Sequence, residues 1–488
     1  MAYYTMQINQ KSQEYDSYVS GHTHADSEFN SLNSTYQTTI AERDRLQAWL
    51  NGNITACNQL LESQRDNTTA SYAIWREGNC YTAENANGNV KRNDTDASAL
   101  IQWAINALTP GRTYKEKIML RGDFTISSPI IVPSYTTLEF QGKVTVAEGA
   151  NFEPAIMSEG FDTLTGKNLR GGVVDVEIEG LNLDGNKARQ AQCFGIELYG
   201  RRLSLKDVTV CNCTGDGIWT EWSNSSTVNC PDDAMEGVFS NVRSCFNDGR
   251  GWRMLGPHDS YLAGILLYCN GLDGFASWDA GGCHGVNLHA YGNGQWGFYI
   301  DAPSTFTNII SENNGRNGPQ WGGVEVLFND VFLDGIFYNN NGSEIVIGDL
   351  AHCPSGCLIE GKALGNHTVE AGLRLVNGSG NRYNLLMFEN TTIIGTLNEA
   401  DDYQILNTID KPFDGHRTQN SGNVTIPGGS QTYVVDHKLV RTPRTVIVTG
   451  TNSETAGAYV SARDETTFTI TVPNNGNAGG EIDWYAED

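Results

Sequence analysis

The segments LLYCNGLDG (residues 266–274) and NLHAYGNGQWG (287–297) decide the fold, because each joins a short strand of alternating apolar residues to an Asn-rich corner and a Gly. Similar segments end at Asn186, Gly217, Gly251, Gly318 and Gly342. One such unit cannot bury its apolar face alone, whereas stacked copies bury a continuous core. The repeat therefore predicts a β-solenoid over about 170–395. Its inward stack is expected to contain the residues that follow the recurring Gly, namely Ile218, Trp252, Phe275 and Phe298.

One amphipathic helix precedes the repeats, in the segment NDTDASALIQWAINAL (93–108). Asp94 or Thr95 is expected to cap its first turn, and Thr109-Pro110-Gly111 ends it. Its apolar face consists of Ala97, Leu100, Ile101, Ala104, Ile105 and Leu108. The first coil of a solenoid would otherwise expose its core and a row of unpaired backbone groups. The helix is therefore predicted to cover that end.

The composition limits the classes of partner. The net charge of −25 argues against nucleic acid, whose phosphates attract Lys and Arg. No apolar run is long enough to cross a membrane, and the first residues lack the pattern of a secretory signal. The chain has 11 Lys among its 32 basic residues, so the excess of acid indicates either a protein kept soluble in concentrated salt or an ordinary acidic protein.

The segments DTDASALIQWAINAL and KIMLRGDFTISSPIIVPSYTTLEFQG (94–108 and 117–142) resemble the start of pectate-lyase-like right-handed β-helix proteins. That family includes polygalacturonases and many viral tailspikes. The resemblance covers about residues 93–400 and implies a mainly β protein, a right-handed parallel β-helix with a capping helix. Residues 423–488 alternate apolar and polar positions, which predicts a small β-sandwich, and they resemble the C-terminal modules of phage tail proteins.

These patterns predict four segments. Residues 1–80 form an N-terminal attachment segment, with a possible coiled-coil helix over 36–66. Residues 81–400 form the capped β-helix, 401–422 a linker and 423–488 the C-terminal sandwich.

Acidic residues in the repeats are the first candidates for chemistry. Asp216 and Asp273 each precede a repeat Gly and could share one solenoid face. With His284, whose GCHG context is similar to a polygalacturonase motif, they would supply acid and base. The family's other catalytic motifs are missing in register, so turn residues and solvated surface are the favoured explanation of these acids.

A recurring set of aromatic and acidic residues predicts a glycan groove, since sugar rings stack on aromatic faces while acids bind their hydroxyls. The proposed glycan-binding residues are Trp219, Glu221, Trp222, Trp278, Asp279, Tyr299, Asp301 and Glu325. Trp296 and Trp321 recur near the same corner. Packing between subunits of an oligomer would explain the same aromatic residues.

Histidine and cysteine suggest two further features. His22 and His24 would point to one side of an extended segment, and the family resemblance implies a metal ion on the threefold axis of a trimer; a solvated turn is the alternative. No other cofactor is predicted. Cys211, Cys213, Cys245 and Cys269 fall near coil corners as small apolar residues. Cys353 and Cys357 could close a small disulfide loop.

Three functions remain open. The first is a virion tail spike or fibre, a homotrimer outside the cell that joins other tail or baseplate proteins and binds host surface glycan or glycoprotein. If the acidity marks high salt, the host would be a halophilic archaeon. The second is a polysaccharide depolymerase, a hydrolase or lyase. The third is a structural tail component without a ligand.

Overall fold

The computed structural model describes part of the chain. The described residues are 11–13, 16, 34, 36–41, 44–45, 70–152, 154–160, 172–222, 234–278, 280–364, 371–388, 393–395, 400–407, 418–473 and 479–488. Residues 1–69 form a unit of their own, and the described residues within it are helical, including 36–41 of the predicted helix. No helix in the described ranges is long and apolar enough to cross a membrane.

Two long sheets form a right-handed parallel β-helix of about 10 turns, which confirms the predicted fold class. From β10 onward, consecutive strands alternate between the sheets, so each coil contributes one strand to each. Sheet 1 consists of β1 (Tyr72–Glu77), β2 (Cys80–Asn85), β3 (Lys91–Asp94), β4 (Glu116–Arg121), β5 (Phe124–Ile126), β7 (Thr136–Val146), β10 (Val176–Asp184), β12 (Ser204–Cys211), β14 (Val238–Cys245), β16 (Tyr261–Tyr268), β18 (Cys283–Tyr291), β20 (Ser304–Glu312), β22 (Phe332–Tyr338), β24 (Leu358–Leu364), β26 (Arg382–Phe388) and β28 (Asp402–Asn407). Sheet 2 consists of β6 (Ile130–Val132), β8 (Ile156–Ser158), β9 (Val173–Val174), β11 (Ile196–Arg201), β13 (Ile218–Trp222), β15 (Trp252–Leu255), β17 (Phe275–Trp278), β19 (Phe298–Asp301), β21 (Val324–Val326), β23 (Ile345–Ile347), β25 (Leu373–Leu375) and β27 (Ile393–Gly395).

The predicted inward stack is confirmed. Ile218, Trp252, Phe275 and Phe298 pair in register on successive strands of sheet 2, and none is exposed. The Trp252 ring meets Phe239 of the opposite sheet edge-on, with ring centroids 5.0 Å apart. Burying each large apolar side chain contributes about 1.5–3 kcal/mol, so repetition along the coils stabilises the whole solenoid.

A second stack, the asparagine ladder, runs along one corner and consists of Asn247, Asn270, Asn293, Asn314 and Asn340. From Asn270 onward, each Oδ1 accepts two hydrogen bonds from the preceding member: Asn293 Oδ1 accepts the backbone N–H of Asn270 at 3.1 Å and an Nδ2–H of the same residue at 3.0 Å. The ladder ends at the fully buried Glu344, which accepts both N–H groups of Asn340. Burial raises the pKa of Glu344 to about 8.

The left-handed backbone conformation at this corner does not fall on the ladder residues themselves. The left-handed residue is the one before each ladder member, for example Cys269 (φ 54°) before Asn270 and Gly292 (φ 64°) before Asn293. The ladder Asn residues are instead hydrogen-bonding links between coils.

The N-terminal end is covered by α1 (Ala97–Asn106), whose predicted apolar face is buried. The predicted cap was wrong by one or two positions, because Asp96, rather than Asp94 or Thr95, accepts the N–H groups of Ser98 (2.8 Å) and Ala99 (3.3 Å). Gln102 pairs with the edge strand of sheet 2: its Oε1 accepts the Ile131 N–H at 2.9 Å and its Nε2 donates to the Ile131 carbonyl at 3.1 Å. The Gln102 side chain thus makes the two hydrogen bonds that a neighbouring strand would otherwise make with Ile131.

Sheet 1 is extended beyond its first parallel pair. β1 runs parallel to β4, and β2 and β3 continue the sheet in antiparallel fashion. β1 precedes residue 81, where the sequence places the start of the β-helix. At the other end, β28 lies inside the stretch 401–422 that the sequence assigns to a linker, and it pairs with β26.

The C-terminal residues form two antiparallel sheets of three strands with a core of their own. The strands are β29 (Gln419–Ile426), β30 (Thr432–Asp436), β31 (Thr445–Gly450), β32 (Tyr459–Arg463), β33 (Thr467–Thr471) and β34 (Gly480–Glu487). Phe468 and Trp484 meet edge-on in this core at 5.3 Å. This sandwich contacts the last coil, since Arg441 donates to the Asp401 carbonyl at 3.4 Å.

The cysteines differ from expectation in two respects. Cys211 and Cys245, in register on neighbouring coils, form a disulfide, because parallel pairing brings their Cα atoms within 4.7 Å. Cys353 and Cys357 are both free thiols, so the predicted small loop is wrong.

Candidate functional site

The outer face of sheet 2 carries the predicted aromatic residues, because side chains alternate inward and outward along each strand. Successive strands pair Glu197, Trp219, Arg253, Ala276, Tyr299 and Glu325 in register, and we call this set the outer row. Neighbouring strands are about 4.8 Å apart, so the outer row is a continuous line of side chains.

Two arginines lie among the aromatic rings of this face. The Arg253 guanidinium carbon is 3.8 Å from the centroid of the Trp219 ring and 5.7 Å from that of Trp278. The Arg250 guanidinium carbon is 4.8 Å from the centroid of the Trp278 ring. The Trp278 ring in turn contacts Tyr299 at 5.2 Å. We call these five residues the aromatic–arginine array; its members hold one another by cation–π and ring contacts.

Carboxylates surround the array. Glu197 and Glu221 are buried, at 6% and 8% exposure. Burial lowers the pKa of Arg253, and the charges of Asp216, Glu221 and Glu197 act against this effect. The face therefore combines flat rings with charged groups that are held close together in a partly dehydrated setting.

Asp216 and Asp273 lie at equivalent positions two coils apart, and both are bonded to Arg250 of the coil between them. Asp216 Oδ1 accepts the Arg250 N–H at 2.7 Å. Asp273 is 3% exposed, with Oδ2 bonded to Arg250 Nε at 3.0 Å and Oδ1 accepting the Trp296 N–H at 3.1 Å. Burial raises the pKa of Asp273, against the effect of Arg250. Both carboxylates thus link successive coils.

His284 is not brought to these acids. It lies on β18 of sheet 1, exposed and stacked on the Tyr261 ring at 5.8 Å. The predicted association of His284 with Asp216 and Asp273 was therefore wrong, because GCHG begins a strand of the other sheet.

The remaining predicted residues that the structure describes lie at separate positions near sheet 2. Trp222 ends β13 and contacts His258 edge-on at 4.7 Å. Asp301 pairs in register with Trp278. Trp296 and Trp321 meet edge-on at 6.0 Å. Asp279, His22 and His24 lie outside the described residues, and no group of three or more metal-ligating side chains occurs among the residues that are described.

Glu325 has the most strongly perturbed environment in the outer row. Its pKa is raised to about 7, first by burial and then by the charges of Asp349 and Asp273. Its in-register neighbour Tyr299 has a pKa raised to about 12, mainly by burial. His352 lies nearby, with Nδ1 2.9 Å from Asp349 Oδ1, and partly offsets the negative charge at Glu325.

The sequence analysis missed Arg250, Arg253, Glu197, Asp349 and His352. Three of them had a detectable signal. Arg250 stands two residues before the inward Trp252, which is the position that Asp216 takes before Ile218. Arg253 and Glu197 each stand directly after an inward residue, which is the position of Trp219. Asp349 and His352 belong to a connection without repeat spacing, so no pattern indicated them.

Comparisons with known proteins gave matches in structure alone: no family model and no curated protein sequence matches the chain. The A-module of the mannuronan C-5 epimerase AlgE4 from Azotobacter vinelandii is similar with a TM-score of 0.48 and 15% identity, over 63% of this chain and 96% of that one. The Dettilon tailspike protein gp208 is similar with a TM-score of 0.42 and 11% identity, over 80% and 91%.

A third structure is the tailspike gp49 of the Acinetobacter baumannii bacteriophage Fri1, a capsular polysaccharide depolymerase. Its TM-score is 0.34 and its identity 10%, over 80% of this chain and 82% of that one. By its own strands and connections, this chain has a right-handed parallel β-helix fold.

Proposed function

We propose that the outer face of sheet 2 binds a surface glycan and that the protein is a virion tail spike or fibre component that attaches the particle to its host. The aromatic–arginine array carries this proposal. Sugar rings present apolar C–H faces that stack on Trp219, Trp278 and Tyr299. Arg253, Glu197 and Glu221 supply the few polar groups that such a site needs for hydroxyls.

The order of segments supports the placement in a virion. An N-terminal unit, whose described residues are helical, precedes a long β-helix in the sequence, and a small sandwich follows it. This order of segments resembles that of tail proteins. We infer that other tail proteins hold the N-terminal unit, that the β-helix contacts the host and that the protein is extracellular. An acidic protein of this kind suits a salt-rich habitat. High salt weakens the electrostatic attraction between protein and ligand, but it does not weaken the stacking of sugar rings on aromatic side chains.

The test is binding of purified protein to a glycan array and to glycan from the host envelope. We expect Trp219→Ala and Trp278→Ala to lower affinity roughly 30-fold or more, as for aromatic residues at binding hot spots. Trp75→Ala is the matched control, since Trp75 also carries a cation over its ring, Lys91 at 5.7 Å, but lies on β1. Absence of any bound glycan, at low and high salt, would favour the purely structural component.

A second candidate function is cleavage of the bound glycan, and Glu325 favours it. A carboxylic acid with a pKa of about 7 in a binding face is suited to general acid catalysis near neutral pH. Glu325→Gln should abolish the release of new reducing ends or unsaturated sugars while glycan binding persists. Glu360→Gln, on β24 of sheet 1, is the control and should cleave normally. Tight binding without products in the wild type would leave the protein an adhesin.

We also propose a homotrimer. Sheet 1 exposes apolar side chains on its outer face, including Val238 (54%), Tyr261 (56%) and Val286 (41%). Contact between copies through this face would remove them from water. The molar mass from multi-angle light scattering distinguishes three copies from one.

A further inference from the structure

The asparagine ladder ends on its N-terminal side at Asn247, and two buried cysteines follow it there. The Asn247 Oδ1 accepts the backbone N–H of Cys213 at 2.9 Å, so Cys213 takes the ladder position in its own coil. Cys193 belongs to the preceding coil, since it comes before β11, the strand that pairs with β13. Both cysteines are free thiols, and neither side chain is exposed. Thiols thus stand where the amide side chains of the ladder stop.

Backbone hydrogen bonds hold the two cysteines together. The Cys193 N–H donates to Thr214 Oγ1 at 2.6 Å, and the Cys193 carbonyl accepts the Thr214 N–H at 2.8 Å. Because Thr214 directly follows Cys213, these bonds bring Cys193 beside Cys213, and the two thiol groups are hydrogen-bonded to each other. This hydrogen bond lowers the pKa of the Cys193 thiol, whereas the same bond and burial raise the pKa of the Cys213 thiol. Cys193 therefore loses its proton more readily than Cys213 does.

The spacing of the coils suits a covalent bond between these thiols. Neighbouring parallel strands are about 4.8 Å apart, and a disulfide joins Cα atoms about 4.4–6.8 Å apart. Cys211, two residues before Cys213, forms such a bond with Cys245 of the following coil, and their Cα atoms are 4.7 Å apart. Cysteines that face one another across neighbouring coils of this chain therefore meet the geometric requirement of a disulfide.

We propose that Cys193 and Cys213 form a second disulfide, which continues the links between coils beyond the N-terminal end of the asparagine ladder. The oxidant is a small disulfide of the glutathione type. The Cys193 thiolate attacks one of its sulfurs and expels a thiolate, and the Cys213 thiolate then attacks the Cys193 sulfur of the mixed disulfide and expels the second. The two protein thiols lose two electrons and two protons, and the oxidant becomes two thiols. This bond does not depend on the glycan face or on the trimer.

The test is peptide mapping of the full chain by mass spectrometry after equilibration in buffers of reduced and oxidised glutathione. One sample starts from the native protein and a second is refolded from denaturant in the same buffer, so that burial of the thiols does not prevent exchange. Free thiols are alkylated before digestion. Trypsin releases Cys193 in residues 190–201 and Cys211 with Cys213 in one peptide, and fragment ions between these two assign the bridge. We expect a Cys193–Cys213 bridge whose occupied fraction rises with the share of oxidised glutathione.

Cys283 is the matched control, because its buried thiol donates to a backbone carbonyl at 3.0 Å rather than to another thiol. Cys283→Ser should leave the bridge unchanged, whereas Cys193→Ser should leave Cys213 alkylated and the Cys211–Cys245 bond intact. The wild-type maps need no variant, so poor folding of Cys193→Ser does not affect the result. The proposal is overturned if Cys193 and Cys213 are still alkylated in both wild-type samples at the most oxidising ratio, or if Cys213 is bridged to Cys211 instead.

Discussion

Replacement of Asn293 by Ala tests what the asparagine ladder contributes. Asn293 is fully buried and forms hydrogen bonds on both sides. Its Oδ1 accepts two N–H groups of Asn270, and its Nδ2 donates to Asn314 Oδ1 at 2.8 Å and to the Leu267 carbonyl at 3.0 Å. Its φ is not left-handed, so the substitution removes these bonds without relieving backbone strain.

The magnitude follows from the groups left without partners. In Asn293→Ala the Asn270 backbone N–H and one Nδ2 hydrogen lose their acceptor in the core. Each buried unmade donor costs about 1–3 kcal/mol, so the expected loss is about 4 kcal/mol. Since each 1.4 kcal/mol is a factor of ten, local opening becomes about 10³-fold more frequent.

Hydrogen exchange measured by mass spectrometry reports this opening coil by coil. We expect protection to fall in the segments that contain Asn270, Asn293 and Asn314, and to persist in β4 and β7 near the helical cap. Asn384→Ala is the matched control, because it removes the same atoms from an exposed site with one 3.3 Å bond to Glu360. If protection in the ladder segments of Asn293→Ala equals that of the control, the ladder does not stabilise the coils as argued.

Three further predictions use the ends and charges of the solenoid. The pKa of Glu344 is raised to about 8, so between about pH 4.5 and pH 8 the folded chain holds a proton that the unfolded chain has lost. The free energy of unfolding therefore falls by up to about 5 kcal/mol as the pH rises through this range. Glu344→Gln should flatten this pH dependence of the Tm in thermal scans. Gln102→Leu removes two bonds to Ile131 and should cost about 1–2 kcal/mol and increase light scattering, because an edge strand becomes free to pair. Because the net charge is −25, the Tm should rise from low to molar salt as repulsion is screened.

The solenoid was predictable because its repeat is local. Each coil repeats an apolar alternation and a corner, so the inward positions of Trp252, Phe275 and Phe298 follow from spacing. The covering helix was predictable from the same logic. Its cap at Asp96 and the pairing of Gln102 with Ile131 were not, since both depend on the contact between the helix and the first coil.

The candidate site was predictable in part. The spacing of the repeat identifies which residues take equivalent positions on successive coils, but it does not show on which of the two sheets a residue outside the repeat pattern lies. Trp219 and Tyr299 were grouped because aromatic residues recur near one corner of the repeat, and the structure has both in the outer row.

His284 was grouped with Asp216 and Asp273 from its GCHG context alone. It lies on β18 of sheet 1, because a motif of four residues does not specify the position in the coil. Asp349 and His352 reach Glu325 through a connection whose path no repeat specifies.

The two kinds of acid in this solenoid differ for a physical reason that bears on function. An acid two residues before the inward position, such as Asp216 or Asp273, faces the backbone N–H groups of the next coil and bonds to them. An acid one residue after the inward position, such as Glu325, stands on the strand surface, where the sheet backbone is already paired. Corner acids are therefore consumed by the fold, whereas the sheet backbone makes no demand on the Glu325 carboxyl. We therefore propose that any catalysis on this face uses Glu325, beside the rings proposed to hold a sugar, rather than Asp216 or Asp273.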